Sequence, residues 1–112
     1  MTTRLLAPRI PRSAGQAWEL ELDAELTPRS PALTVERAAA VASLLSHIHG
    51  VERVTVRPHC GGRFVRAMLT VDAHDFTDAV DRAAAFLRSS AAAAGVGPLI
   101  LVAARHQVAP TP

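Results

Sequence analysis

The chain holds one cysteine, Cys60, among its 112 residues, so no disulfide can form within it. Its fold must rest on an apolar core, which a chain of this length can build without covalent staples. A lone thiol suits a reducing compartment, and the expected location is the cytoplasm. Lysine, asparagine and tyrosine are missing altogether. A/T-rich codons encode all three, so their joint absence reads first as the composition of a GC-rich, actinobacterium-like bacterial genome. Twelve arginines face ten acids, for a net charge of only +2. The high isoelectric point therefore reflects arginine, which hardly loses its charge, rather than a large positive excess. No apolar run nears the ~20 residues of a membrane span. The stretch from Arg4 to Pro8 is too short for the apolar region of a secretory leader. No catalytic or cofactor motif of high specificity is present, so no cofactor is expected.

What is present is a rhythm of elements. Residues 1–16 carry Pro8, Pro11, Gly15 and three arginines without periodicity and read as a flexible basic arm. In the first strand Trp18, Leu20, Leu22, Ala24 and Leu26 alternate with Glu19, Glu21, Asp23, Glu25 and Thr27. Period two puts the apolar side chains on one face and the acids on the other. Pro28 and Pro31 end it. A helix follows from about Leu33 to His49, with Ala38, Val41, Ala42, Leu45 and Ile48 at helical spacing. Ser30 or Thr34 is placed to cap its start, and Gly50 to stop it. Val51 to His59 forms a second strand, with Val54 and Val56 inward and Arg53, Thr55 and Arg57 outward. Cys60-Gly61-Gly62 turns the chain into a third strand, Arg63 to Asp72. There Val65, Ala67, Leu69 and Val71 oppose Phe64, Arg66, Met68 and Thr70. A second helix starts near Asp75, with Asp78 making a capping pair. Phe76, Val80, Ala83, Leu87 and Ala91 line its inner face, and Gly95 to Pro98 ends it. Leu99 to Arg105 is the fourth strand, and 108–112 a flexible tail.

This β-α-β-β-α-β order predicts a single α+β domain over residues 17–107, a ferredoxin-like sandwich. Its four-stranded antiparallel sheet would run 4-1-3-2 with both helices on one face. The other face would then carry Glu19, Glu21, Asp23 and Glu25 beside Phe64, Arg66 and Met68, with Arg53 and Arg57 at one edge. The fourth strand, with Ile100 and Val102, is apolar on both faces, which is unusual at an edge. The expected partner is a second copy lying on this face about a two-fold axis, one copy's acidic stripe meeting the other's basic strand. Cross-strand Glu–Arg pairing within one copy is the simpler alternative.

Three other features carry weaker chemistry. The topology brings His47, His49, His74 and His106 to one end of the sandwich, with Asp72 and Asp75 nearby, which is a donor set for zinc. His47 and His49, two apart on a helix, point to different sides, which argues against a shared ion. Arg29 before the first helix is a candidate anion contact. Cys60 beside His59 lacks the positioned base and oxyanion site that a nucleophile needs.

Gly61 to Val65 resembles the aromatic signature of RNA-recognition motifs, but it offers one aromatic, Phe64, where base stacking uses two or three. The four carboxylates of the neighbouring strand repel phosphate. Acylphosphatases share the element order and place a Gly-rich anion loop after strand one; here that loop is Thr27 to Pro31, without glycine. The leading expectation is a non-catalytic module that dimerises through its sheet and binds a small ligand at the boundary. The alternatives are a cofactor-independent dimeric oxygenase or isomerase, and nucleic-acid contact by Arg4, Arg9, Arg12, Arg57, His59 and Arg63.

Overall fold

The computed structural model describes residues 15–107. Arg4, Arg9 and Arg12 of the basic arm and the tail 108–112 lie outside the described residues. Gln16, expected in the arm, is instead the first residue of the sheet. The elements are β1 (Gln16–Leu26), α1 (Val35–Ser46), β2 (Val51–His59), β3 (Phe64–Ala73), α2 (Phe76–Ala93) and β4 (Leu99–His106). All neighbouring strands are antiparallel, in the order β2-β3-β1-β4 from one edge and β4-β1-β3-β2 from the other.

Strict alternation makes β1 and β3 the two central strands. Leu20, Leu22, Ala24 and Leu26 from β1, with Val65, Ala67, Leu69, Val71 and Ala73 from β3, are buried beneath the helices. α1 adds Ala38, Val41 and Leu45, and α2 adds Ala79, Ala83, Leu87 and Ala91. These residues form one core, which places both helices on the same face of the sheet. Ser90 is the one buried polar residue among those described. Trp18 closes one end of the core. Its indole Nε1 donates to the Ala73 carbonyl at 3.1 Å, and its ring packs on Phe76 and His106 with centroids 6.3 and 4.8 Å away.

The helix ends follow local chemistry. Thr34 is the cap of α1, its hydroxyl accepting from the Arg37 N–H. The helix therefore starts two residues later than its apolar pattern implies, and it stops at Ser46. Asp75 caps α2 by accepting from the Asp78 N–H, and Asp78 reaches back to the His74 N–H. That backbone bond, aided by Arg82, holds the Asp78 carboxyl below its ordinary value. Ala83, Leu87 and Ala91 of α2 face inward as expected, and only the first turn and a half departs from the pattern. Ala79 is fully buried, Val80 is only half-buried, and Phe76 is exposed against Trp18.

Two bulges revise the edge strands. In β2, Val51 pairs with Val71 and Val56 with Ala67, so β2 carries one residue more than β3 between these pairs. The irregularity is taken up at Arg53, whose φ of 56° lies in the left-handed region. Val51 and Val56 therefore both face the core, while Val54 is half-buried. In β4, Asp23 pairs with Ala103 but Ala24 with Leu101, leaving Val102 as the extra residue. Strand β4 is not apolar on both faces throughout: Leu99 is buried, Ile100 and Val102 are exposed, and Arg105 lies beside the acids of β1.

At the opposite end from Trp18 the β2–β3 hairpin is locked onto the segment between β1 and α1. Cys60, Gly61 and Gly62 all have positive φ. The Gly62 carbonyl accepts from the Leu33 N–H at 2.8 Å. A Cβ on Gly62 would lie 2.6 Å from the Leu33 carbonyl oxygen, so this glycine permits a close backbone approach. Arg63 completes the junction by donating to the carbonyls of Ser30 and Thr27 at 2.8 and 2.6 Å.

Candidate functional site

The open face of the sheet is an ordered lattice of charge. Register places Arg57, Arg66, Asp23 and Ala103 in one row across the four strands, and Thr55, Met68, Glu21 and Arg105 in the next. Arg66 Nε lies 2.9 Å from Asp23 Oδ1 and 3.0 Å from Glu21 Oε2. Arg105 spans the same two acids from the other side, at 2.6 Å to Asp23 Oδ2 and 3.3 Å to Glu21 Oε1. Gln107 Nε2 donates to Glu21 Oε1 at 2.7 Å. The side chains of Glu21 and Asp23 retain only 13% and 15% exposure. The Arg66 hydrogen bond lowers the Asp23 carboxyl from 3.8 to about 2; burial pushes the other way, and Arg105 adds to the lowering. The same contacts raise both arginines above their ordinary value.

Cross-strand pairing of acids and arginines is thus present within one copy. The acidic stripe of β1 is met by arginines of its own chain, from β3, from β4 and, through Arg53, from β2. Arg53 Nη1 contacts Glu19 Oε2 at 2.8 Å. The missing signal in the sequence was the partner of each acid: Arg66 and Arg105 are 43 and 82 residues from Asp23, and only the register joins them. Phe64 and Met68 are half-buried on this face, while Glu25 and Arg57 are exposed.

The histidine end does not assemble a metal centre. Among the described residues no three of His, Cys, Asp and Glu come together in a way that would hold an ion. His47 Nδ1 is occupied by the Ser43 carbonyl at 2.7 Å, and the His106 ring packs on Trp18. His49, His74, Asp72 and Asp75 are exposed, and Asp75 is used as the α2 cap. Arg29 is not at a helix N-terminus, because α1 begins at Val35 and its cap is Thr34. The Gly62 N–H donates to the His59 carbonyl at 3.2 Å, within the hairpin turn.

A feature the sequence did not signal lies at one corner of the open face. Two adjoining clefts of about 160 and 380 Å³ share Glu19, Arg53, Thr70 and Gln107. Glu52 and His106 extend the larger one, and Met68 and Leu20 floor the smaller. Thr70 Oγ1 is buried there without a hydrogen-bond partner. A third cleft, of about 200 Å³, lies at the hairpin end between Leu33, Arg37 and Gly95, where Arg37 donates to the Gly95 carbonyl at 2.7 Å. His47, His49, His74 and Arg66 line none of these three clefts. Arg63, half-buried, has Nη1 and Nη2 each donating to a carbonyl of the segment before α1. No helix among the described residues is long and apolar enough to cross a membrane. The chain matches no known family, no curated protein and no solved structure.

Proposed function

We propose that this chain is a small non-catalytic module of the ferredoxin-like kind that pairs with a second copy through its open sheet face. The ferredoxin-like reading is supported by the element order, the strand order and the placement of both helices on one face. The observation that carries the pairing is the internal neutralisation of that face. Glu19, Glu21 and Asp23 are each met by an arginine of the same chain. A face bearing unmatched acids would repel its own copy about a two-fold axis. A matched one does not, and its central carboxylates are already largely stripped of water, so covering them adds little desolvation cost. Phe64, Met68 and Ile100 supply apolar contact among the ion pairs.

Introducing charge at the centre of the face tests the reading. Met68→Glu places a further carboxylate beside Glu21, directly opposite on β1. It is expected to turn the pair into single copies in sedimentation at tens of micromolar, while Val35→Glu, on exposed helix surface, leaves the pair intact. Equal association of wild type and Met68→Glu would contradict the use of this face.

A further inference from the structure

Charge is segregated along the strands. At the Trp18 end, Arg53 and Arg82 are already taken by Glu19 and Asp78, and Arg105 is held by Glu21 and Asp23. Among the described residues, Glu52, Asp72, Asp75 and Asp81 at this end have no ion pair. The described arginines outside any ion pair are Arg29, Arg37, Arg57, Arg63 and Arg88. They belong to the half of the domain nearer the hairpin, too far to serve these acids.

The acidic end also carries exposed apolar surface. Phe76, in the first turn of α2, is 38% exposed. Its ring lies against the half-buried Trp18, and Val80, one turn further along α2, is half-buried too. Strand β1 enters the sheet at this same end. Gly15, the residue before it, lies beside Asp72: a Cβ on Gly15 would be 4.0 Å from the Asp72 Cβ.

Residues 1–14, outside the described residues, therefore join the domain at its acidic end. They hold Arg4, Arg9 and Arg12 and no acid, with Leu5, Leu6 and Ile10 among them. Fully extended they reach about 45 Å, more than enough to cross the start of α2. Pro8 and Pro11 reduce the freedom lost when such a segment is fixed.

We infer that residues 1–14 dock on the Trp18 end of their own domain, their arginines over Asp72, Asp75 and Asp81 and their apolar side chains over Phe76 and Trp18. Exposed ion pairs are individually weak. The covalent link through Gly15 offsets this, because it holds the segment at an effective concentration in the millimolar range. At micromolar protein a second copy's segment cannot compete with that. The inference does not rest on the pairing of copies: Trp18 packs against the core beneath the helices, on the other side of the sheet from the open face.

Trp18 is the chain's single tryptophan, so its quenching by acrylamide reads the contact in the full chain. At low salt, wild type should be quenched about half as strongly as a variant carrying Arg4→Gln, Arg9→Gln and Arg12→Gln together, as for a segment docked most of the time. Salt at about 0.5 M, where the screening length is about 4 Å, should bring wild type most of the way to the variant and leave the variant unchanged. Asp72→Asn with Asp81→Asn should raise quenching in wild type and not in the triple-arginine variant, which separates lost docking from a local effect on the ring. Dilution from tens of micromolar to about one micromolar should change nothing, since the contact lies within one chain. Equal quenching of wild type and the triple-arginine variant at low salt overturns the inference, as does a salt response that both share. So does a double-asparagine variant quenched like wild type. Quenching that rises on dilution assigns the contact to another copy's segment and overturns it as well.

Discussion

Replacing Asp23 by asparagine probes the charge lattice at its centre. In the folded chain Asp23 accepts from Arg66 at 2.9 and 3.3 Å and from Arg105 at 2.6 Å. These contacts lower its carboxyl from 3.8 to about 2. At ~1.36 kcal/mol per unit, that interval corresponds to about 2 kcal/mol favouring the folded state at neutral pH. Two effects reduce the cost of the substitution. The face still touches water, and Glu21 remains within 3.0 Å of Arg66 and 3.3 Å of Arg105. The expected loss is about 1–2 kcal/mol at pH 7, or roughly 4–16 °C in Tm for a domain of this size. The sign of the pH dependence is fixed. The folded carboxyl titrates below the unfolded one, so its contribution is complete above about pH 4 and disappears as pH falls through about 2. Urea unfolding of wild type and Asp23→Asn at pH 7 and near pH 2 measures both. Equal stability at pH 7, or a gap that persists unchanged near pH 2, would refute the account of the lattice.

Three further substitutions test the scaffold. Gly62→Ala should cost about 2–4 kcal/mol, because its φ of 83° and the nearby Leu33 carbonyl both oppose a Cβ; thermal unfolding close to wild type would contradict this. Thr34→Ala removes the α1 cap and should cost about 0.5–2 kcal/mol by urea unfolding. Arg53→Gly relieves the left-handed strain, about 1–2 kcal/mol, and gives up an exposed ion pair worth about 0–1 kcal/mol. Its net effect on Tm should be neutral to stabilising, and a marked drop would show that Arg53 holds the bulge.

The central strands were legible because nothing interrupts their period of two. Leu20 to Leu26 and Val65 to Val71 are buried at every second position, as the alternation requires. The edges were less legible, because a bulge shifts phase without a residue that announces it. Val54 and Val56 read as the inward pair of β2, yet the extra residue at Arg53 makes Val51 and Val56 the buried ones. Arginine gives no signal of left-handed backbone, as glycine would. In α2 the abundance of alanine blurs the apolar stripe, so Ala79 rather than Phe76 and Val80 turned inward. The candidate site was hidden for a related reason. Glu19, Glu52 and Thr70 come from three strands and meet only through register, and Arg53 reaches them only because of the bulge. The histidines erred in the other direction. Topology gathered them at one end, but side-chain direction and local partners kept them from forming a common centre.

If the open face receives a second copy, the mass of the wild-type chain in solution reports it. Size exclusion with light scattering at tens of micromolar, where specific dimers persist, should give twice the chain mass of 11.9 kDa. A single-chain mass throughout that range would contradict it.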